Sequence, residues 1–266
     1  MKQIAIKSAL MRTVVVMLLT LGTLSASAQY YMNVVQKDGK IVQFLVPDID
    51  NVFFSGQDSP AANYEYVDLG LSVKWATRNV GATKPEEYGD YYAWGETELN
   101  TDYSWSTYKW CNGSSSTLTK YCNNSSSGNN GFTDSKTTLD LEDDVAHIKW
   151  GGAWRMPTKA EQDDLRNNCT WTWYSSDNTE FNGVAGCKVT SNIEGYKDRF
   201  IFLPAAGYRG DTSLYNVGSG GSYWSSSLDT GLPYSAWGVN FSYSYNVSPF
   251  TYAGRCYGRS VRPVCP

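Results

Sequence analysis

Few side chains in this sequence have the types and spacing that reactions need. Nucleophilic catalysis pairs a hydroxyl or thiol with a positioned base, most often histidine. The chain has one histidine, His147, inside D-V-A-H-I-K-W, and it reads as a helix-surface or packing residue. The serine triplet at 225–227 lacks the G-x-S-x-G frame of a nucleophile elbow. The acidic run D-L-E-D-D at 140–144 offers oxygens to calcium but lacks the alternating D-x-D-x-D-G loop. Acidic residues at a helix start are favoured by the helix dipole alone. The G-S-G-G stretch at 218–221 has no Lys-Ser/Thr after it and reads as a turn, not a phosphate loop. The expectation is no enzyme, no cofactor and no resident metal.

Six cysteines are present: Cys111, Cys122, Cys169, Cys187, Cys256 and Cys265. An even count in an exported chain favours disulfides, and sequence-local pairing would join 111–122, 169–187 and 256–265. Six cysteines allow 15 connectivities, so this pairing is one expectation among many. No C-x-x-C occurs, which with a lone histidine argues against structural zinc.

The segment best suited to binding begins at Tyr234. Alternation over 237–246 predicts Trp237, Val239, Phe241, Tyr243 and Tyr245 on one strand face, with Gly238, Asn240, Ser242, Ser244 and Asn246 on the other. Past Phe241 the composition turns to Tyr, Ser, Asn and Gly, the mix of adaptable binding surfaces. The candidate ligand contacts are Tyr234, Ser235, Asn240, Tyr243, Tyr245, Asn246, Tyr252, Arg255 and Tyr257. Arg259 and Arg262 read as structural hydrogen-bond donors. The competing reading is a strand-rich C-terminus with exposed tyrosines and no ligand.

These residues must be carried by a scaffold of short strands. Two helices are expected: one over 140–149, acidic at its start and basic at its end, and one after Pro157. Thr158 and Glu161 form a T-x-x-E capping box for the second. T-W-T-W-Y, C-K-V-T-S, R-F-I-F-L, S-Y-W-S-S-S, A-W-G-V-N-F-S-Y-S-Y and S-V-R-P-V then read as strands. Two helices among many strands give the α+β class. Residues 111–136 are rich in Ser, Asn and Gly and are expected to form a long surface loop.

Ahead of this domain lies a small β unit at 29–56, whose Asp38-Gly39 suits a hairpin turn. Residues 57–64 read as a linker and 65–266 as the main domain. Residues 1–28 read as a cleaved signal peptide: Lys2, Lys7 and Arg12, then an apolar run at 14–24, then Ala26-Ser27-Ala28. The run is shorter than the ~20 apolar residues a spanning helix needs. The mature chain is therefore expected to be secreted, surface-exposed or periplasmic, without a membrane span. Cleavage removes three cations and leaves 26 acidic against 22 − 3 = 19 basic residues, a net charge of about −7. That balance excludes nucleic acid and anionic membrane surfaces as partners. The 20 Tyr and 10 Trp suit binding surfaces as well as cores.

Five phrases carry a resemblance: Y-V-D-L-G-L-S-V-K-W-A-T-R-N-V-G-A at 66–82, Y-G-D-Y-Y-A-W-G-E-T at 88–97, W-G-G-A-W-R-M-P-T-K-A-E at 150–161, S-Y-W-S-S-S at 222–227 and G-R-S-V-R-P-V at 258–264. Together they resemble the Fibrobacter succinogenes major paralogous domain, a family of secreted bacterial proteins, here of Bacteroidetes type. The resemblance implies a C-type-lectin-like fold that presents ligand from its late region. The Glu-Pro-Asn, Gln-Pro-Asp and Trp-Asn-Asp motifs of calcium-dependent sugar lectins are missing. The A-W-x-V-N-F frame at 236–241 also looks like the variable region of receptors diversified by retroelements. That likeness would make Tyr234, Ser235, Gly238, Ser242, Tyr243, Tyr245, Asn246, Tyr252, Arg255 and Tyr257 variable positions. Formylglycine-generating oxidases share the fold class and use a cysteine pair, for which Cys256 and Cys265 are the candidates. The function expected is a non-enzymatic adhesin or receptor-like module for a protein or glycan ligand. A structural or matrix role and, more remotely, the oxidase are the alternatives.

Overall fold

The computed structural model describes residues 2–5, 31–35, 41–45, 49–53 and 64–266, without the side chains of 2–5, 31–35, 42–45, 49–53 and 245–252. The chain divides into two units, Met1–Ala62 and Asn63–Pro266. The apolar run at 14–24, the cleavage pattern at 26–28, the Asp38-Gly39 turn and most of the 57–64 linker lie outside the described residues.

In the first unit, β1 (Lys2–Ala5) is followed by β2 (Tyr31–Val35), β3 (Ile41–Leu45) and β4 (Ile49–Phe53). Strands β2 and β3 pair antiparallel from Tyr31↔Leu45 to Val35↔Ile41, the hairpin expected from the sequence. β4 pairs in parallel with β1, which belongs to the segment expected to be cleaved.

The second unit opens with β5 (Tyr66–Val67) and β6 (Lys74–Ala76). A 3₁₀ turn at Leu141–Asp143 leads into α1 (Val145–Trp150), and α2 spans Lys159–Asn168. The expected helix over 140–149 is thus split. Asp144 has extended backbone and caps α1, accepting from His147 N at 3.0 Å. Its other oxygen accepts from Met156 N at 2.8 Å. The capping box of α2 is present in both directions between Thr158 and Glu161.

Strands β7 (Cys169–Tyr174), β8 (Gly186–Ser191) and β9 (Phe200–Pro204) form an antiparallel sheet. A short hairpin follows, β10 (Tyr208–Gly210) and β11 (Ser213–Tyr215). The longest strands, β12 (Gly220–Leu228), β13 (Ser235–Ser242) and β14 (Tyr245–Gly254), make a second antiparallel sheet. The last strand, β15 (Val264–Cys265), returns to pair with β6, Val264 opposite Trp75. Mostly antiparallel sheets with two α-helices place this unit in the α+β class.

Two tryptophans fasten the early segment to the central sheet. Trp94 Nε1 donates to Ser225 O at 2.8 Å, and Trp224 Nε1 donates to Tyr92 O at 2.9 Å. Both rings are fully buried. Buried indoles pair their N–H groups in this way because an unpaired buried donor is costly.

The alternation expected over 237–246 holds through Tyr243: Phe241 and Tyr243 both reach Trp173, whereas Asn240 bonds Ser222 on the other face. The β12–β13 pairing shifts between Trp224 and Leu228, and the β13–β14 pairing shifts between Ala236 and Gly238. The extra residues of both shifts lie in β12 and β14, so the faces of β13 do not exchange. Val239 and Phe241 pack in the core with Leu165 of α2, and Trp237 is half-buried beneath the Lys159 ammonium of the same helix, 4.5 Å from its ring centroid. The strand ends earlier than expected: Ser242 pairs with Tyr245 across Tyr243-Ser244.

Residues 111–136 are not simply a surface loop. Leu118, Tyr121 and Cys122 are fully buried. Asp134 accepts from Tyr121 N at 2.6 Å and Cys122 N at 3.0 Å, so one carboxylate folds the segment back on itself.

Candidate functional site

The β10–β11 hairpin displays aromatic rings on one face. Its register sets Tyr208 opposite Tyr215, Arg209 opposite Leu214 and Gly210 opposite Ser213. Tyr208 and Tyr215 therefore share a face and stack, with ring centroids 5.2 Å apart and planes 23° apart. Tyr257 joins them, its centroid 5.9 Å from that of Tyr208. Gly210 makes this convergence possible: a Cβ there would stand 3.3 Å from the Tyr257 ring and 3.4 Å from the Tyr215 ring. Arg259 lies beneath, its guanidinium carbon 5.7 Å from the Tyr208 centroid. Tyr215 is 43% exposed and Tyr257 36%. Burial raises the Tyr257 phenol above its ordinary pKa, so the group faces solvent as a neutral donor and acceptor.

Backbone bonds hold this platform. Arg209 N donates to Gly258 O at 2.7 Å and Gly258 N donates to Arg209 O at 2.9 Å, tying the hairpin to the segment that carries Tyr257. On the opposite face of β10, Arg209 lines a cleft of about 390 Å³ together with Asp90, Tyr91, Leu99 and Asn100. The Arg209 guanidinium stands over the Tyr91 ring.

The expected ligand contacts do not form one cluster. Tyr257 belongs to the platform. Tyr243 is 70% exposed and lies near Trp173, with centroids 6.4 Å apart. Tyr234 is partly exposed, and its carbonyl accepts from Arg255 N at 3.0 Å. Asn240 is half-buried and accepts from Ser222 Oγ at 2.6 Å across the β12–β13 pair. The side chains of Tyr245, Asn246 and Tyr252 lie outside the described residues.

Two expectations are corrected. Ser235 is buried in the sheet. Arg255 is 0% exposed: it donates to Tyr121 O at 2.7 Å and Lys120 O at 3.2 Å, and its guanidinium lies over the Trp94 and Tyr108 rings. It is a core anchor for the 111–136 segment. Arg262 is likewise buried, donating to Asn79 Oδ1 and to the carbonyls of Ala76, Thr77 and Phe202, the structural role expected of it.

The acidic run holds a cation that the chain itself supplies. Carboxylate oxygens of Asp140, Glu142 and Asp143 lie within 4.8 Å of one another, close enough for a metal. The Lys120 ammonium stands among them, 3.0 Å from Asp140, 3.1 Å from Glu142 and 2.6 Å from Asp143. Burial works to lower the Lys120 pKa, but hydrogen bonds to Asp143, Asp140 and Glu142 outweigh it and raise the value. His147 Nδ1 lies 3.2 Å from Trp154 O, which ties this ring to the backbone after its own helix.

All six cysteines are free thiols. The register overturns the expected 169–187 bridge: Cys169 faces Ser191, and Cys187 faces Trp173. Four residues of strand separate the two, about 13 Å, beyond the reach of a disulfide. Cys111 Sγ points to Trp105 O at 3.1 Å while Cys122 Sγ points to Asn124 O at 3.1 Å, so the expected 111–122 pair is not aligned either. Cys265 lies in β15, whereas Cys256 packs with Tyr91, Tyr103 and Tyr108 in a separate cluster.

Tyr208 and Tyr215 were not among the expected site residues. The signal was present in Y-R-G-D-T-S-L-Y, where two tyrosines flank a short hairpin and so face each other across it. No protein-family model, no curated protein and no solved structure matches this chain. No helix among the described residues is long and apolar enough to cross a membrane.

Proposed function

We propose that this protein is a secreted or surface-displayed, non-enzymatic binding module of lectin-like architecture. The observation that carries the reading is the Tyr208–Tyr215–Tyr257 platform, three rings held at a hairpin surface with two of them well exposed. Stacked phenols offer large contact area at little entropy cost and keep a hydroxyl for ligand. Such a surface suits a protein or a glycan. An α+β unit of mostly antiparallel sheets with two helices is compatible with the lectin-like resemblance, and the export signal read from residues 1–28 fits an external ligand.

The test is capture of glycans on an array and of surface proteins from whole cells by residues 29–266. Wild-type protein is expected to bind and Tyr215→Ala with Tyr257→Ala to lose binding while keeping its fold. Binding that survives the double substitution would move the ligand away from the platform.

The matrix reading is disfavoured by the exposure of Tyr215, Tyr243 and Tyr257, which do not pack in the core. The oxidase reading needs Cys256 and Cys265 together, and they occupy different parts of the domain.

A further inference from the structure

One pair of thiols shares a cluster without any strand ladder holding it apart. Cys111 Sγ donates to Trp105 O at 3.1 Å and lies 3.5 Å from Tyr108 O. Cys256 is buried in the cluster that contains Tyr108, and Cys111 and Trp105 pack against that same cluster. A Cβ placed on Gly254 would stand 3.6 Å from Cys256 Sγ and 3.2 Å from the Trp105 ring, so Trp105 meets Cys111 through its carbonyl and the Cys256 neighbourhood through its ring. Cys256 also feels Cys111: burial first, and then Cys111 among the neighbouring acids, pushes the Cys256 thiol up to about 12. Of the six cysteines, Cys111 is half-exposed and the other five are buried.

We propose that Cys111 and Cys256 form a dithiol site that closes to a Cys111–Cys256 disulfide by exchange with a small-molecule disulfide. Cys111, the accessible member, loses its proton to water, and its thiolate attacks one sulfur of the reagent. A protein–reagent mixed disulfide forms as one reagent thiolate leaves. The Cys256 thiolate then attacks Cys111 Sγ and expels the second reagent thiolate. Two electrons pass from the protein sulfurs to the reagent, and the two protein thiol protons end on the two released thiols. The new bond ties the 103–111 segment to the residue preceding Tyr257, so oxidation staples the chain beneath the tyrosine platform. It would replace the sequence-local 111–122 and 256–265 pairs with a single long-range one.

The test is incubation of the purified protein with oxidised glutathione, followed by alkylation of remaining thiols and non-reducing peptide mapping by mass spectrometry. The expected product is one crosslinked peptide pair containing Cys111 and Cys256, lighter than the reduced pair by two hydrogens. Its thermal midpoint should rise by several degrees over the reduced form, as closure of a long loop predicts. Cys256→Ser should stop at a glutathione mixed disulfide on Cys111, and Cys111→Ser should leave Cys256 unmodified in the folded protein. Wild-type mapping needs no variant, so the test holds even if a substitution prevents folding. Crosslinks at 111–122 or 256–265, glutathione retained on Cys111 in the wild type, or no reaction at Cys111 would each overturn the proposal. None of these results bears on whether the tyrosine platform binds a ligand.

Discussion

The Lys120 ammonium and the Asp143 carboxylate meet at 2.6 Å, and Asp143 also accepts from the Tyr121 phenol at 2.6 Å. Asp143 is nearly inaccessible to solvent, and these two donors, with the Lys109 ammonium 4.0 Å away, are what it faces. Lys120→Met removes the close cation from the buried carboxylate, leaving the exposed Lys109 ammonium 4.0 Å from Asp143 and Lys136 on Asp140. The expected cost is about 3 kcal/mol, read by chemical denaturation, because removing one partner of a buried pair strands the other charge. The vacated oxygens should then accept a divalent ion. Added calcium is expected to raise the melting temperature of Lys120→Met and to leave the wild type unchanged. A calcium response in the wild type would mean that Lys120 does not hold the site.

Arg255 was legible as a cation near the C-terminal surface but not as a buried one. Its partners are carbonyls of Lys120 and Tyr121, more than a hundred residues earlier in the chain, which no local pattern reveals. Arg255→Lys should therefore cost about 2–3 kcal/mol, since lysine cannot serve two carbonyls and two ring faces at once. Ligand capture at a temperature where the variant is folded should match the wild type. A stable variant with weakened capture would restore Arg255 to the ligand surface.

What could be read from sequence follows the range of the forces involved. The capping box of α2 was legible because Thr158 and Glu161 act over one turn. The β2–β3 hairpin and the strands β7 to β9 were legible because alternation and turn residues are local. The split of the first helix was missed because Asp144 serves two masters: it caps α1 and also accepts from Met156 N, a contact set by tertiary packing. The faces of β13 were legible through Tyr243, but its end was not: the Ser242–Tyr245 pairing turns the chain where the composition still alternates. The candidate site was half legible. Tyr257 was expected, and Tyr208 and Tyr215 were overlooked for want of the pairing that brings them to it.

Stability toward acid should depend on Glu161. Burial works to raise its pKa, but the hydrogen bonds from Arg155 and Thr158 N outweigh it and hold the carboxyl below its ordinary range. A carboxylate with a depressed folded pKa stabilises above its unfolded value, about 4.3, and loses that contribution as pH falls through the folded value. Glu161→Gln keeps an acceptor for Thr158 N and removes the charge, so it is expected to cost about 0.5–1 kcal/mol at neutral pH through the weakened Arg155 pair and the helix start. The gap between wild type and variant should close as pH drops below about 4. A gap of constant size across that range would show that the Glu161 charge is not what stabilises the helix start.

Gly238 decides how far the diversified-receptor likeness extends. That likeness makes position 238 variable, yet a Cβ there would stand 2.4 Å from Tyr223 O, the backbone of the neighbouring strand. No side chain escapes such a contact by rotating, because the clash is with Cβ itself. The backbone would have to yield in the middle of a sheet whose other members include the buried Trp224. Gly238→Ala is therefore expected to cost about 1–3 kcal/mol, as overpacking does, and Gly238→Tyr to prevent folding altogether. The control is Tyr243→Ala in the exposed turn just past the same strand, which should shift stability by no more than about 0.5 kcal/mol. Thermal melts of the three variants check this ordering. If Gly238→Tyr folds with a wild-type melting temperature, position 238 tolerates diversity and does not face Tyr223 O as closely as the pairing sets it.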